Sequence, residues 1–332
     1  MPIIEIKNLT KTYRVYQKKE GLGASIKGLF KREHKNVHAV NDISLEVEEG
    51  EFVAFLGPNG AGKTTTLKLL SGVINPDSGT CQVMGYTPWE RKNEYRRRFS
   101  LVMGQKNQLW WDLPALESFR LNQHIYGVGK EDFDNTRNEL CDMLDVTRLL
   151  NQPVRELSLG ERMKMELIAA LLHKPDVLYL DEPTIGLDVI AQHKIQEFLK
   201  AYQQEQNNTI LLTSHYMKDI EALCKRVVII ANGEIYHDGS LEQIVDKFSG
   251  DKIVTLQLAD SVDKDALKDL PNVIEVTPPK VKFRVQREKV GAVLSGILNT
   301  HSVDDIVVED PPLEEVISNA FSAAEAEGNR NE

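Results

Sequence analysis

The chain has 332 residues, of which 41% are hydrophobic and 27% charged, and it carries a formal net charge of −10. This ordinary globular composition suits one large domain plus a small one. The acidic balance argues against a nucleic-acid-binding protein, because that class usually carries a basic charge or a basic stripe. No apolar run approaches the roughly 18 residues of a membrane span, and the N-terminus lacks the long apolar region of a signal peptide, so we expect the chain to stay in the cytosol.

The cysteines indicate neither a disulfide framework nor a zinc site. Cys81, Cys141 and Cys224 are far apart in the chain and do not form a Cys-x-x-Cys or Cys/His spacing. We interpret them as buried, reduced thiols.

Two kinds of strand are predicted along the chain. Alternating apolar and polar residues at 3–6 and 44–48 predict half-exposed strands. Near-continuous apolar runs at 53–56, 177–180 and 209–213 predict strands that are covered on both faces. The second kind is typical of a parallel sheet in an α/β domain.

A helical pattern separates the first of these buried runs from the others. Between Tyr86 and His173, apolar residues recur at three- and four-residue spacing, with helices predicted at 116–126, 133–144 and 162–172. We interpret residues 86–173 as a helical subdomain inserted into the α/β domain.

The large domain is predicted to end near residue 248. Residues 226–236 read as a hairpin turning at Asn232-Gly233, and residues 241–248 as a helix, followed by the break Ser249-Gly250. Residues 251–322 are predicted to form a small α+β domain, and residues 323–332 an acidic, disordered tail. The predicted strands of the small domain are 253–258, 281–285 and 306–308, and its predicted helices are 264–270, 289–298 and 313–321.

A glycine-rich loop predicts nucleotide binding. It follows the apolar strand 52–56, precedes a helical segment that begins at Thr64, and fits the pattern Gly-x4-Gly-Lys-[Ser/Thr]. Glycines allow backbone N–H groups to surround an anion at the positive end of a helix. We expect Lys63 to reach the β- and γ-phosphates and the Thr64 hydroxyl to hold Mg²⁺. The loop reads Gly57-Pro58-Asn59-Gly60-Ala61-Gly62-Lys63-Thr64.

Two acids and a histidine follow other buried strands. Asp181 and Glu182 end the run 177–180, where Asp181 can orient Mg²⁺ and Glu182 can polarise an attacking water. The alternative is a strand-to-turn junction with solvated acids. His215 follows the run 209–213, which predicts that its ring lies near the γ-phosphate; the alternative is a helix cap or a paired polar residue.

A second helix start carries a polar motif. Ser158-Leu159-Gly160-Glu161 precedes the helix predicted from Arg162. One interpretation is a capping box, in which Ser158 and Glu161 satisfy backbone donors reciprocally. The other is a second phosphate-binding helix N-terminus.

Taken in order, these motifs resemble the ATP-binding subunit of an ABC transporter over residues 3–248. The resemblance implies a P-loop ATPase domain with a helical subdomain, acting on ATP with Mg²⁺. It identifies residues 57–65, up to Thr65, as the Walker A loop, 177–182 as the Walker B strand and 158–161 as the signature. It further implies roles for Gln105 as the Q-loop glutamine and a Mg²⁺ ligand, Asp188 in the D-loop, His215 as the switch histidine and Tyr13 as the aromatic that stacks on adenine.

The resemblance also implies partners. In this family two copies pair head to tail, so ATP bound by the Walker A loop of one chain is capped by Ser158 and Gly160 of the other. We expect a homodimer that binds membrane permease subunits at the cytoplasmic face of the cell membrane. Trp110-Trp111 follows the Q-loop, where family members meet the permease, and we favour that role over one core residue with an exposed neighbour.

The signature departs from the family's usual Leu-Ser-Gly-Gly-Gln at two positions. Leu159 replaces the first glycine and Glu161 the glutamine, while Ser158 and Gly160 remain. A carboxylate that pointed into the dimer would slow closure, so we expect modest activity. As a first-turn acid, Glu161 also favours its own helix.

Residues 17–38 form a basic segment that is longer than family members usually show. Its apolar residues Ile26, Leu29 and Phe30 fit a short amphipathic helix against lipid headgroups or a permease, but we favour a solvated hairpin extension. The added length leaves Tyr16 as an alternative to Tyr13.

Export of a drug, lipid or polysaccharide is the predicted process. The single nucleotide site, the small C-terminal domain and the Asp-Leu-Pro sequence after Trp111 resemble efflux subunits. An importer ATPase with a regulatory C-terminal domain is the first alternative. A soluble ATPase of translation or DNA repair is less consistent, because those relatives carry tandem ATPase domains or a long coiled coil. For residues 251–322 we favour a dimer-stabilising role over a ligand sensor.

Overall fold

The computed structural model describes residues 2–16, 34–258 and 271–328, which form two compact units. Along the chain, the first unit ends at Asp238 and the second begins at Gly239. The strands that begin in the first unit are β1 (Ile4–Tyr16), β2 (His34–Val47), β3 (Phe52–Leu56), β4 (Ser78–Val83), β5 (Phe99–Met103), β6 (Val177–Asp181), β7 (Thr209–Thr213), β8 (Arg226–Ala231) and β9 (Glu234–Ser240). Its helices are α1 (Lys63–Leu70), α2 (Asn93–Arg96), α3 (Ala115–Tyr126), α4 (Lys130–Met143), α5 (Leu159–Leu171), α6 (Val189–Gln206) and α7 (Met217–Leu223).

A six-stranded sheet in the order β5-β6-β7-β3-β8-β9 forms the centre of the first unit. Strands β6 and β7 are buried at every residue, and β3 lies parallel to both β7 and β8. This arrangement confirms the α/β fold and the parallel sheet predicted from the apolar runs. Asp181 pairs in register with Thr213, so the carboxyl ends of β6 and β7 meet at one edge.

A smaller antiparallel sheet in the order β2-β1-β4 shares one hydrophobic core with the central sheet. Ile4, Ile6 and Leu9 of β1 are buried in this core together with Val53 and Phe55 of β3. The pairing of Tyr16 with His34 closes the ladder between β1 and β2. The basic residues 17–33, and any amphipathic helix among them, lie outside the described residues.

The helical subdomain contains the three predicted helices as α3, α4 and α5. It does not begin at Tyr86 as predicted, because Phe99–Met103 forms β5, the edge strand of the central sheet. This five-residue strand alternates between half-buried and buried positions, a pattern too short to interrupt the helical periodicity around it. The predominantly helical region therefore follows Met103.

The second unit contains a four-stranded antiparallel sheet in the order β11-β12-β10-β13. This is the strand order of ferredoxin-like folds. Phe283 is fully buried in its core, which is covered by one helix after β12. The elements are α8 (Leu241–Phe248), β10 (Asp251–Leu258), β11 (Val273–Thr277), β12 (Lys280–Gln286), α9 (Val290–Thr300), β13 (Val303–Glu309) and α10 (Leu313–Gly328).

Two features of this unit differ from the sequence predictions. Strand β11 was not predicted from the sequence, and all its side chains are exposed. The prediction that the tail is disordered from Ala323 onward is wrong as far as Gly328. Helix α10 continues to that residue, and Ala324 is buried. Alanine and glutamate are strong helix formers, which explains the extension. The helix predicted at 264–270 lies outside the described residues.

Helix α8 belongs with the second unit, although the sequence predicts it as the end of the large domain. It is strongly amphipathic, and its buried Ile244 lies on the apolar face. Helix α8 packs against α10 of the same unit. Among the described residues, no helix is both long and apolar enough to cross a membrane.

Candidate functional site

The glycine-rich loop between β3 and α1 is shaped by close backbone approaches. A Cβ atom on Gly57 would lie 2.1 Å from the carbonyl oxygen of Ile230, and one on Gly62 would lie 2.2 Å from that of Ala39. Gly62 has a φ of 111°, which side-chain-bearing residues rarely adopt. Glycine is therefore required at both positions for the loop to curl. Pro58 and Asn59 form its outer side, with Gly60 exposed and Ala61 buried.

Lys63 is the first residue of α1 and is only 6% exposed. Its ammonium donates to the carbonyl oxygens of Gly57 and Pro58, at 2.6 and 3.1 Å. Burial lowers the pKa of this amine, whereas the carboxylates of Glu182 and Asp181 act in the opposite direction. The lysine charge is thus held inside the loop, beside the two acids that end β6.

Asp181 is the centre of a buried hydrogen-bond cluster. The Thr64 hydroxyl donates to its Oδ1 and Oδ2 atoms at 3.0 and 2.9 Å, and the Thr213 hydroxyl donates to Oδ1 at 2.7 Å. These contacts join α1, β6 and β7. Thr213 was not identified as a site residue from the sequence; its only signal was its position as the last residue of a buried strand.

Glu182 leaves the end of β6 in a left-handed conformation, with a φ of 53°. Such a conformation costs a side-chain-bearing residue about 1–2 kcal/mol. Its backbone N–H donates to the carbonyl and hydroxyl oxygens of Thr213, at 3.0 and 3.1 Å. A Cβ atom on Gly104 would lie 2.1 Å from the Glu182 carbonyl oxygen, so a glycine is needed where the loop after β5 passes.

The Glu182 carboxylate is bound from both sides. His215 Nε2 lies 2.6 Å from Oε1, and Gln105 Nε2 donates to Oε2 at 2.9 Å. The carboxylate is largely buried, whereas the His215 side chain is 39% exposed. The loops after β5 and β7 therefore place Gln105 and His215 on the carboxylate of Glu182, which follows β6.

The loop that carries His215 is anchored by a second acid, Asp219, which is 1% exposed. It accepts hydrogen bonds from the hydroxyls of Thr184 and Ser214 at 2.5 and 2.6 Å, and from Gln196 Nε2 at 2.6 Å. Asp219 thereby links the loop after β6 to the loop after β7. Asp219 was not identified as a site residue, because its only visible feature along the chain is that it is an acid in the first turn of α7.

The signature motif forms the N-terminus of α5 and is a capping box. The Glu161 N–H donates to the Ser158 hydroxyl oxygen at 3.2 Å, and the Ser158 N–H donates to the Glu161 carboxylate at 3.0 Å. The Ser158 hydroxyl also donates to that carboxylate at 2.9 Å. The hydrogen bonds from Ser158 lower the pKa of Glu161, so this carboxylate is ionised at neutral pH. The capping interpretation is confirmed, and the carboxylate faces its own helix start.

The D-loop, residues 185–188, lies beside the signature. Asp188 caps α6, accepting from the Ala191 N–H at 2.9 Å. A Cβ atom on Gly160 would lie 2.8 Å from Ala191 Cβ, and one on Gly186 would lie 3.2 Å from Leu159. The start of α5, with Ser158 and Gly160, therefore lies beside the start of α6, with Asp188, and we call these residues the signature cluster.

The predicted aromatic residues are exposed. Tyr13 is 37% exposed on β1 and pairs with Val37, two residues before Ala39, whose carbonyl contacts the phosphate loop. Trp110 and Trp111 are each 48% exposed, which contradicts the alternative in which one of them is a core residue.

Comparisons with known proteins match both units. Residues 40–185 match the family described as ABC transporter, and residues 250–309 match the one described as EvrA-like ABC transporter, C-terminal domain. The linearmycin resistance ATP-binding protein LnrL of Bacillus subtilis (strain 168) is 30% identical over 84% of this chain and 92% of that protein. The Nod factor export ATP-binding protein I of Cupriavidus pinatubonensis is 34% identical over 68% of each chain.

Among solved structures, the dimeric post-hydrolysis state of the ATP-binding cassette MJ0796, bound to ADP and Pi, matches with a TM-score of 0.60. Its sequence identity is 25%, over 71% of this chain and 98% of that one. The relatives, the fold and the geometry of the motifs all indicate the same family. The chain belongs to the ABC transporter ATP-binding proteins, and it is an ATPase subunit that couples ATP hydrolysis to transport.

Proposed function

We propose that the chain works as a homodimer on the cytoplasmic face of a membrane, hydrolysing Mg-ATP to drive export through a separate permease. The observation that carries the catalytic part of this proposal is the Glu182 carboxylate, held between Gln105 and His215 and near enough to Lys63 to raise the pKa of its amine. No residue of this set is adjacent to another along the chain. The fold assembles them at the carboxyl ends of parallel strands, where α/β proteins bind ligands.

In the proposed reaction, Glu182 accepts a hydrogen bond from water and directs it at the γ-phosphorus of ATP. A bond forms between the water oxygen and phosphorus, and the bond to the β-phosphate oxygen breaks, giving ADP and phosphate. Lys63 and the loop N–H groups neutralise charge on the phosphates. His215 holds the other carboxylate oxygen and so fixes the direction of Glu182. The water proton passes to the carboxylate or to phosphate.

The donor set next to this carboxylate fits Mg²⁺. Thr64 and Asp181 present hydroxyl and carboxylate oxygens that converge within 3.0 Å of each other, and hard oxygen ligands suit this cation. Gln105 would add its amide oxygen. When bound, Mg²⁺ would neutralise charge that develops on the β- and γ-phosphate oxygens. Thr213 is proposed to orient Asp181 for this role, through its hydrogen bond to Oδ1.

The signature cluster is proposed to act on the nucleotide of a second copy. Ser158 is exposed at the positive end of α5, which favours an anion from outside the chain. Leu159, Val189 and Ile190 around it are 38%, 76% and 79% exposed, respectively. Neighbouring exposed apolar residues of this kind favour a surface that pairs with another protein. Tyr13 would stack on the adenine bound by its own chain.

Export is favoured by the names of relatives, which include a resistance protein and a Nod factor export protein. The alternative is an importer ATPase whose C-terminal unit restrains hydrolysis in response to a small molecule or protein. A gene for a soluble substrate-binding protein beside this one would favour the importer. We retain a dimer-stabilising role for the C-terminal unit and no role in nucleic-acid binding.

Replacing Thr213 with valine tests the proposed support of Asp181. The substitution keeps the side-chain shape but removes one hydrogen-bond partner from the buried Asp181 carboxylate and one from the Glu182 N–H. An unsatisfied buried group of this kind costs about 1–3 kcal/mol of free energy. We expect the ATPase rate constant to fall about tenfold. Thr209→Val, at the other end of the same buried strand, is the matched control and should leave the rate unchanged. Equal rates in both variants would contradict the proposal.

Replacing Glu161 with glutamine tests the cost of the unusual signature. Glutamine preserves the capping box, but its neutral oxygen holds the Ser158 hydroxyl less strongly than a carboxylate does. We expect the ATPase rate constant and the equilibrium constant of ATP-dependent dimerisation to rise about threefold, which corresponds to a free-energy change of roughly 0.6 kcal/mol. Glu156→Gln, at an exposed acid before the signature, serves as control. An unchanged rate at neutral pH would mean that this carboxylate does not influence the dimer.

A tagged Glu182→Gln form should trap the ATP-bound dimer and its partners. Loss of the base typically lowers the rate by about 10²–10⁴-fold, so the bound nucleotide persists. Proteins that co-purify from detergent-solubilised membranes with and without ATP would be identified by mass spectrometry. We expect multi-span membrane proteins. Recovery of ribosomes or DNA without any membrane partner would overturn the proposed function.

Alanine at both Trp110 and Trp111 should release the permease while sparing basal hydrolysis. Large exposed aromatics are common interface anchors, each worth about 2 kcal/mol or more. Recovery of the membrane proteins should therefore fall at least about tenfold. Ile125→Ala, an exposed apolar change on α3, is the control. Full recovery with the double variant would place the permease contact elsewhere.

A further inference from the structure

Helix α5 carries a pair of opposite charges, a buried glutamate and a half-buried arginine, that the proposed reaction does not use. Glu166 is 2% exposed, and its Oε1 atom lies 3.7 Å from Arg162 Nε, one helical turn closer to the signature. Both residues lie on the helix that begins with Ser158 as its cap. The pair is therefore one to two turns from the residues proposed to meet the second nucleotide.

This pair is incompletely satisfied. Glu166 Oε2 and Arg162 Nε are buried atoms without a hydrogen-bond partner among the described residues. Buried polar atoms in native proteins are nearly always paired, and a loosely paired buried charge costs stability. Two apolar residues of similar size would pack there at lower cost. Packing of the helical subdomain alone does not explain why charges occupy these positions.

The pair lies against the segment that follows Gln105, and Arg162 makes the direct side-chain contact with it. The backbone N–H of Gln108 is close enough to Glu166 to act on its carboxyl and lower its pKa. The Arg162 guanidinium carbon lies 5.9 Å from the centre of the Trp111 ring, within the range of a cation–π contact. The pair thus bridges the helix of the signature and the exposed tryptophans.

The same segment is also fixed to the residues just before the signature. The Arg155 N–H donates to the Trp111 carbonyl oxygen at 3.0 Å, and the Val154 N–H donates to that of Leu113 at 3.0 Å. Arg155 also pairs with Asp112 at 2.9 Å. A displacement of the tryptophans would therefore act on α5 from its N-terminal side and through the Arg162–Glu166 pair.

Glu166 is poised to change charge near neutrality. Burial raises its pKa to about 7, against the opposing effects of Arg162 and the Gln108 N–H. Arg162 is the charged group that acts on this carboxyl among the described residues, and the 105–113 segment contributes a backbone N–H instead of a charge. The carboxyl holds both partners more strongly when it is ionised, above its pKa.

We propose that Glu166 and Arg162 are positioning residues that link the Gln105–Trp111 segment to the signature helix, so that the nucleotide and a protein bound at the tryptophans sense each other. This inference rests on the proposed function. It assigns no contact with ATP to either residue. Its specific consequence is that nucleotide binding changes the surroundings of Trp111 through Glu166.

Tryptophan fluorescence provides the test without a permease. The chain has three tryptophans, so Trp89→Phe leaves Trp110 and Trp111 as the reporters. The full chain is titrated with Mg²⁺ and adenylyl imidodiphosphate, a non-hydrolysable ATP analogue, while equilibrium binding is measured separately. We expect an analogue-dependent change in emission that is larger at about pH 8 than at about pH 6, because the carboxyl titrates between them.

Glu166→Gln is the deciding variant. It should bind the analogue with affinity within about twofold of the parent, a free-energy difference below about 0.5 kcal/mol. It should also show, at every pH, the small response that the parent shows at low pH. Glu131→Gln, an exposed acid on α4, should behave as the parent. A response and pH profile in Glu166→Gln equal to those of the parent would make the pair merely structural and overturn the inference.

A second variant guards against misfolding. If Glu166→Gln loses its thermal transition, Arg162→Gln takes its place, because the arginine side chain is 19% exposed and tolerates change. Loss of the emission response with retained binding supports the link, and a retained response overturns it. If the parent itself does not bind the analogue, the nucleotide site is refuted, and that result is read from the binding measurement alone.

Discussion

The site depends on the hydrogen bonds that Asp181 accepts from Thr64 and Thr213. They tie the first turn of α1 to the ends of β6 and β7, so the phosphate loop and the acids keep one relative position. A buried carboxylate without these donors would carry a desolvation cost of several kcal/mol. The alignment of β3, β6 and β7 makes the donors available, because parallel strands end at the same edge.

That edge also holds the strained residue of the site. Glu182 adopts a left-handed backbone because its N–H is bound to Thr213 and its carbonyl faces Gly104 at close range. The sheet on which it stands is buried on both faces and resists relaxation. Strain of this kind persists only where surrounding contacts over-determine it. The direction of the carboxylate is thus set before any ligand arrives, and Gln105 and His215 hold its two oxygens.

Site residues that belong to a local sequence pattern were predictable, whereas residues that support the site through tertiary contacts were not. The phosphate loop, the acids after β6 and the capping box at Ser158 each follow from short-range rules for strands, glycines and helix starts. Thr213 and Gly104 serve the site through Asp181 and Glu182, which lie more than thirty residues away, and Asp219 joins two loops through Thr184. A single sequence does not encode such long-range contacts locally. The short strand β5 and the exposed strand β11 were missed for the opposite reason, because their local sequence patterns were too weak to predict a strand.

The two clusters of the chain have different mechanical surroundings. The acids after β6 rest on a buried sheet, whereas the signature lies on α5 within the helical subdomain, whose loop exposes two tryptophans. If both clusters act on one nucleotide from opposite copies, the rate is set by how α5 presents Ser158 against a fixed acid site. In that case, the hydrolysis rate is controlled most effectively by movements of α5. The loosely paired Arg162 and Glu166 lie there, beside the loop that carries the tryptophans.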